Sequence, residues 1–241
     1  AFLSYIYEVA RSSDGSDIIN RAKQSNVNIL VYDFGAGTCD LSLLEFSISG
    51  TKVISRNKAI SKFTALGGDD IDRAIAKKIL MDQVRDAAGK KAEFTSIDID
   101  ERIIPKLMPA AEKLKIAICK MFENHEVNNI SYAYSLENTT FETQAIAPFR
   151  FRGGDFEIKR PHVSTHEFID ILESFCGDYD PHYPGHHVAA PVHDVLDKAC
   201  MDYSEVDAVL FIGGSAKNPL VQSAVMDCFE SGVQAVIPRD L

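Results

Sequence analysis

Several common signatures are missing from these 241 residues. No apolar run reaches the roughly 18–20 residues that a helix needs to cross a bilayer. The opening stretch, Ala1 to Ala10, has no basic start ahead of an apolar core and does not read as a secretory leader. There is no C-x-x-C pair. The five cysteines, Cys39, Cys119, Cys176, Cys200 and Cys228, are scattered and odd in number, which fits reduced cytoplasmic thiols and not a disulfide framework or metal cage. The sequons Asn129-Ile-Ser and Asn138-Thr-Thr then read as chance matches. Neither the G-x-x-x-x-G-K-S/T phosphate loop nor the G-x-G-x-x-G dinucleotide pattern occurs. Positive charge is also scarce: 25 Lys+Arg against 35 Asp+Glu leave a net charge of −10. Without a basic stripe, nucleic acid is not expected as a partner, and no membrane partner is expected either.

What is present is a chain that can bury a core. Hydrophobic residues make up 46% and charged residues 25%, a globular balance. The length suits one large or two small units. A first residue that is not Met and an abrupt stop at Leu241 read as the ends of a piece cut from a longer protein.

The pattern along the chain changes twice. Ala1 to Ala10 suggests the tail of a helix, and Ser12 to Asn28 a connector with some helical character. Ile29 to Asp33, Asp40 to Ile48 and Thr51 to Ile60 read as three strands of an antiparallel meander. From Gly67-Gly68 the spacing turns helical through Ile71, Ala74, Ile75, Ile79 and Val84. A second helix carries Leu107, Ala111, Leu114, Ile118 and Met121 inward. Ile130 to Leu136 and Phe141 to Ala147 read as paired strands. Ser164 and Glu167 form a capping box that opens a helix through Phe175. Cys176 to His187 is a Gly/Pro/His-rich loop, in which His182, His186, His187 and the following His193 read as solvated. Pro191 starts another helix, Val206 to Ile212 is a buried strand, Pro219 starts a last helix through Phe229, and Gln234 to Ile237 is a short strand. Three antiparallel strands, an insertion, then alternating helices and strands predict an α/β fold of the ribonuclease H type with an inserted α+β subdomain.

Three glycine segments carry candidate chemistry. In Asp33-Phe-Gly35-Ala-Gly37-Thr38-Cys-Asp40, glycines at a strand-to-strand turn let backbone amides approach an anion. Thr38 adds a hydroxyl, and Asp33 and Asp40 bracket a position for a hydrated cation. Gly67-Gly68-Asp69-Asp70 opens a helix, whose free amides and dipole favour an anion. Gly213-Gly214-Ser215 ends a buried strand, where ligands of α/β sheets collect. Each segment alone also reads as an ordinary turn.

Four stretches together resemble the nucleotide-binding domain of the DnaK-type, seventy-kilodalton heat-shock chaperones. They are Ile29 to Glu45, Ala65 to Asp72, Ala111-Glu112-Lys-Leu-Lys115-Ile-Ala-Ile-Cys119, and Val209 to Pro219, in the family's order. The resemblance implies an actin-like ATPase half-domain, the family's lobe II. Its ribonuclease H-like subdomain would span 27–67 plus 165–241, the inserted subdomain 68–164, and residues 1–26 a crossover-helix remnant and connector.

By the same resemblance, Asp33, Thr38 and Asp40 would be the catalytic group, and ATP or ADP the cofactor. Asp33 and Asp40 would hold Mg²⁺, or K⁺, through water. Gly35, Ala36, Gly37, Thr38, Gly67 and Gly68 would face the phosphates. Glu112 and Lys115 would approach the ribose and Cys119 the adenine. Gly213, Gly214, Ser215 and Lys217 would form the opposite wall. The parent would be an ATPase, located in the cytoplasm, whose nucleotide cycle drives binding and release of client peptides. Its partners would be its own lobe I and peptide-binding domain, a nucleotide-exchange factor and a J-domain co-chaperone. Lobe I, with the first phosphate loop and catalytic lysine, is not in the sequence, so turnover by this piece alone is not expected.

The sequence departs from the family pattern at Ala36 (usually glycine), Cys39 (usually aromatic), Cys119 (usually serine) and Lys217 (usually arginine). Two alternatives stay open at this point: a docking module for exchange factors or co-chaperones without nucleotide chemistry, and a divergent actin-like kinase or filament protein.

Overall fold

The computed structural model describes residues 16–63, 66–89, 93–151, 154–182 and 184–238. Ala1 to Ala10 lies outside them. The chain divides into two compact units, Ala1–Gly68 with Asp178–Leu241, and Asp69–Gly177.

The first unit is built on a five-stranded sheet of β1 (Val27–Phe34), β2 (Cys39–Ser49), β3 (Lys52–Phe63), β8 (Ala208–Ile212) and β9 (Gln234–Val236). Its order is β3-β2-β1-β8-β9. The first three strands form the expected antiparallel meander, while β8 and β9 add in parallel. Parallel pairing requires a crossover and helices over the faces, and the sequence supplies them. On one face α1 (Ser16–Ala22) places Ile18, Ile19 and Ala22 against Val27, Ile29, Val31, Phe46, Ala208 and Leu210. On the other, α7 (Ala190–Ala199) lies across β2 and β3. There Tyr32 packs its ring 5.8 Å from that of Phe211 and donates its hydroxyl to the Val188 carbonyl at 2.8 Å. Strand β1 is therefore covered on both faces, as its unbroken apolar run requires.

Short segments end this unit. A 3₁₀ turn at Ser215–Lys217 leads into α8 (Pro219–Met226), with Asn218 capping it by accepting from Leu220 N–H at 3.0 Å. The helix stops at Met226, so Cys228 and Phe229 lie beyond it, not on it.

The second unit carries α2 (Gly68–Ile75), a π-helical turn (Ala76–Leu80) and α3 (Met81–Ala88), then a π-helical segment (Asp98–Ile103) running into α4 (Ile104–Asn124). It continues with α5 (Ile130–Ser135), β4 (Thr140–Glu142), β5 (Ile146–Phe151), β6 (Gly154–Ile158), β7 (His162–Ser164) and α6 (Thr165–Cys176). The ribbons are β4–β7 and β5–β6.

Three expectations are corrected here. Residues 130–135 are helical, not a strand. Asn129 accepts from Tyr132 N–H at 2.7 Å and so starts a helix that the alternating Ile-Ser-Tyr-Ala-Tyr-Ser pattern does not announce. The expected strand at 141–147 divides between β4 and β5, which pair with β7 and β6. The inserted unit also extends to Gly177, past the expected boundary at 164/165. Helix α6 groups with it because Thr165 N–H donates to Thr139 O at 2.9 Å and Phe168 stacks 6.1 Å from Phe122 of α4. The capping box at its start forms as expected: Ser164 N–H donates to Glu167 Oε2 at 2.8 Å, and Glu167 N–H to Ser164 Oγ at 3.3 Å.

All five cysteines are free thiols. Among the described residues no helix is long and apolar enough to cross a membrane. The histidines of the 176–187 loop are not all solvated, contrary to expectation. His187 is buried and accepts from Ala189 N–H at 3.1 Å. His193 stacks on Tyr179 at 4.4 Å and bonds the Tyr203 hydroxyl.

Burial pushes the His193 pKa below its ordinary value, helped by His187 and opposed by Asp197. The unfolded chain therefore binds more protons at this residue, so its contribution to stability is present above about pH 6.5 and falls below it. Urea unfolding at pH 7.5 and 5.5 should show a larger loss on acidification for the unmodified chain than for His193→Gln.

Candidate functional site

The candidate residues fall into two groups, one in each unit. In the first unit, β1 and β2 stay paired to their ends, with Asp33 opposite Asp40 and Phe34 opposite Cys39. Four residues close the turn, and Gly35 N–H donates to Thr38 O at 3.0 Å. Ala36 and Gly37 stand exposed at the tip. Strand β8 places Ile212 beside Asp33, so Gly213 follows directly at the base of the hairpin.

Backbone approach explains the glycines. A Cβ on Gly67 would lie 2.3 Å from the Ala36 carbonyl oxygen and 2.8 Å from the Gly37 carbonyl carbon. Gly68 N–H donates to Gly35 O at 3.0 Å, locking the segment to the hairpin. Gly213 has φ +93°, and a Cβ there would meet Phe34 O at 2.4 Å and Asp33 Oδ1 at 3.1 Å. Only glycine meets both demands. The three glycine segments, far apart in sequence, thus converge on the carboxyl end of β1. Gly214 is exposed, Ser215 half-buried, and Lys217 exposed on the 3₁₀ turn. Ala36, where the resemblance has glycine, keeps its φ out of the left-handed region, and its carbonyl makes the close approach to Gly67.

The electrostatics at this end are acidic. Burial, then the neighbouring Asp40 carboxylate, raise the Asp33 pKa above the usual carboxylate range. Asp40 accepts from Thr38 Oγ at 3.1 Å and faces the Lys62 ammonium at 3.7 Å. Among the described residues no three His, Cys, Asp or Glu converge as a metal cage. Two half-buried carboxylates side by side suit a cation that keeps most of its waters. Beneath the turn, burial pushes the Cys39 thiol up to about 12. It replaces the expected aromatic as a core residue.

In the second unit, Glu112, Lys115 and Cys119 follow i, i+3, i+7 spacing and share one face of α4. Glu112 is exposed and the other two are half-buried. The Lys115 ammonium donates to Asp72 Oδ2 at 2.7 Å, an ion pair with side chains 12% and 4% exposed. In the sequence Asp72 stands out only as the last residue of the Ala65 to Asp72 stretch. Its partner lies 43 positions away, and no local spacing links the two.

A family model described as Hsp70 protein matches residues 19–145 and 186–240. The chain belongs to the Hsp70 family. Every candidate site residue lies in the matched segments. Similar relatives include the Chaperone protein DnaK of Elusimicrobium minutum, 27% identical over 83% of this chain. The Chaperone protein dnaK of Thalassiosira pseudonana is 30% identical over 84%, and the chloroplastic Heat shock 70 kDa protein 7 of Arabidopsis thaliana 28% identical over 84%. The matches cover 26%, 28% and 23% of those relatives, so this Hsp70 chain spans about a quarter of their length.

The hairpin geometry is testable by stability. Gly67→Ala should destabilise the chain by about 1–3 kcal/mol, the range for forced overpacking. Gly214→Ala, where an added Cβ meets nothing within 4 Å, should be close to neutral. Urea midpoints of the two variants decide this.

Proposed function

We propose that this Hsp70 chain supplies one wall of an ATP/ADP site in a chaperone. In the intact protein, nucleotide binding and hydrolysis would drive binding and release of client peptides. The observation that carries the reading is the convergence of Gly35–Thr38, Gly67–Gly68 and Gly213–Gly214 at the end of β1, where glycine is the only residue that fits at 67 and 213. Such a surface presents backbone instead of side chains, which is what a phosphate chain needs for close approach.

The residues fit the nucleotide and its cation. Gly35, Ala36, Gly37 and Thr38 would lie along the phosphates, with Gly213, Gly214, Ser215 and Lys217 forming a wall beside them. Glu112, Lys115 and Cys119 offer the α4 face for the nucleoside. Asp33 and Asp40 would hold Mg²⁺ or K⁺ through water. When bound, the cation supplies neutralisation of phosphate charge. Asp33, Thr38 and Asp40 are the proposed catalytic group on this wall. The facing wall would come from lobe I, so the chain alone should bind nucleotide weakly and not turn it over.

The partners follow from the family. An exchange factor would grip the inserted unit, and a J-domain co-chaperone would act on the intact protein. We place the parent in the cytoplasm; two of its relatives, both from Arabidopsis thaliana, carry the name chloroplastic.

Calorimetric titration of the chain with ADP, with Mg²⁺ and with chelator, tests the reading. Saturable binding that Mg²⁺ strengthens is expected. Asp33→Asn should erase the Mg²⁺ advantage, about tenfold, the worth of one charge-assisted contact. No binding at millimolar ADP would sink the site, and robust ATP turnover by this chain alone would sink the one-wall assignment.

A further inference from the structure

The ion pair between Asp72 and Lys115 is a poor device for stability. Asp72 on α2 is 3% exposed, and only its Oδ2 is engaged, by the Lys115 ammonium at 2.7 Å. Its Oδ1 is buried without a protein hydrogen-bond partner. Burial raises the Asp72 carboxyl to about 6 against the opposing effect of Lys115, and Glu112 on α4 and Asp69 on α2 push it the same way as burial. Desolvating such a pair takes back most of the attraction, and an apolar pair of similar size would hold α2 to α4 at least as well.

What the pair does provide is a fixed position for a charge. Lysine has a flexible four-carbon stem, and its ammonium is a point charge whose place depends on its partners. Asp72 reaches it from a different helix, beside Glu112 and on the α4 face shared with Cys119.

We propose that Asp72 is a positioning residue that fixes the Lys115 ammonium on α4 and thereby sets recognition of the ribose hydroxyls of a bound nucleotide. The ribose half of this statement rests on the nucleotide reading above; the fixing of Lys115 does not.

The test has two readouts on the 241-residue chain. The first needs no nucleotide: acetylation of Lys115 by an N-hydroxysuccinimide ester at pH 7.5, quantified by mass spectrometry against the exposed Lys113 on the same helix. Asp72→Asn should raise the Lys115/Lys113 ratio several-fold, and Asp72→Glu should restore protection. In the unmodified chain the same ratio should climb as pH falls from 7 to 5.5 and Asp72 takes up its proton, a measurement that stands if Asp72→Asn does not fold. The second readout is calorimetric preference for ADP over 2′,3′-dideoxy-ADP. It should be about tenfold in the unmodified chain, the worth of a hydrogen bond to a charged group, lost in Asp72→Asn and kept in Asp72→Glu. A labelling ratio in Asp72→Asn within twofold of the unmodified chain, with no rise on acidification, overturns the fixing of Lys115. A ribose preference that survives Asp72→Asn overturns its role in recognition. Absence of ADP binding by every form rejects the ribose half together with the nucleotide reading, while the labelling ratio still decides the positioning of Lys115.

Discussion

Strand β1 cannot move without dismantling the first unit. It is hydrogen-bonded along both edges, antiparallel to β2 and parallel to β8, and buried on both faces. Its last residues are therefore held more firmly than any loop could hold them. The candidate site is assembled at that end: Asp33 has Asp40 on one side and Ile212 on the other. The segments that meet it add no bulk of their own. Gly67 and Gly213 approach so closely that a single methyl at either would have to displace main chain. The shape of the site follows from backbone packing and not from side-chain rotamers, so it exists before any ligand arrives. Preformed geometry of this kind reduces the ordering cost of binding.

This arrangement explains which parts of the protein were legible in the sequence. Glycines that permit close approach are visible as letters, and they recur at strand ends, so the three segments could be picked out before their meeting was known. Strands β1 and β8 were legible because two-sided burial writes itself as continuous apolar runs, and the mostly exposed β3 because the Ser49-Gly50 turn returns the chain beside β2. Residues 130–135 were not. Their alternation of apolar and polar residues fits a strand, and one side-chain cap at Asn129 reverses the outcome. The far boundary of the inserted unit was missed for a related reason. Helix α6 is amphipathic wherever it docks, and only its contacts through Thr165 and Phe168 show that it belongs with α4. Local pattern states that a face must be buried, but not against what.

The Asp72–Lys115 pair lies further still from sequence reasoning. Both residues sit on helices whose charged letters look like solvated surface, and Asp72 closely follows two other carboxylates, Asp69 and Asp70. Nothing local singles it out. The structure does so through burial: of the acidic residues on α2 it alone is buried. On the positioning role proposed for Asp72, a charge kept inside at a cost to stability is kept for its place.

Net charge poses the remaining problem. A protein of −10 that is to hold a polyphosphate must overcome its own field, and the hairpin adds Asp33 and Asp40 at the point of approach. Lys62 on β3 already faces Asp40. Neutral backbone amides can contact phosphate but cannot cancel these charges. On the proposed nucleotide reading, the two carboxylates would repel a bare anion and favour one that brings a divalent cation with it. A cation held there would also offset the Asp40 repulsion, which adds to burial in raising the Asp33 pKa. On the same reading, the acidity of the site would act as a filter that selects the metal complex of the nucleotide over the free nucleotide, through the residues that β1 and β2 hold most rigidly.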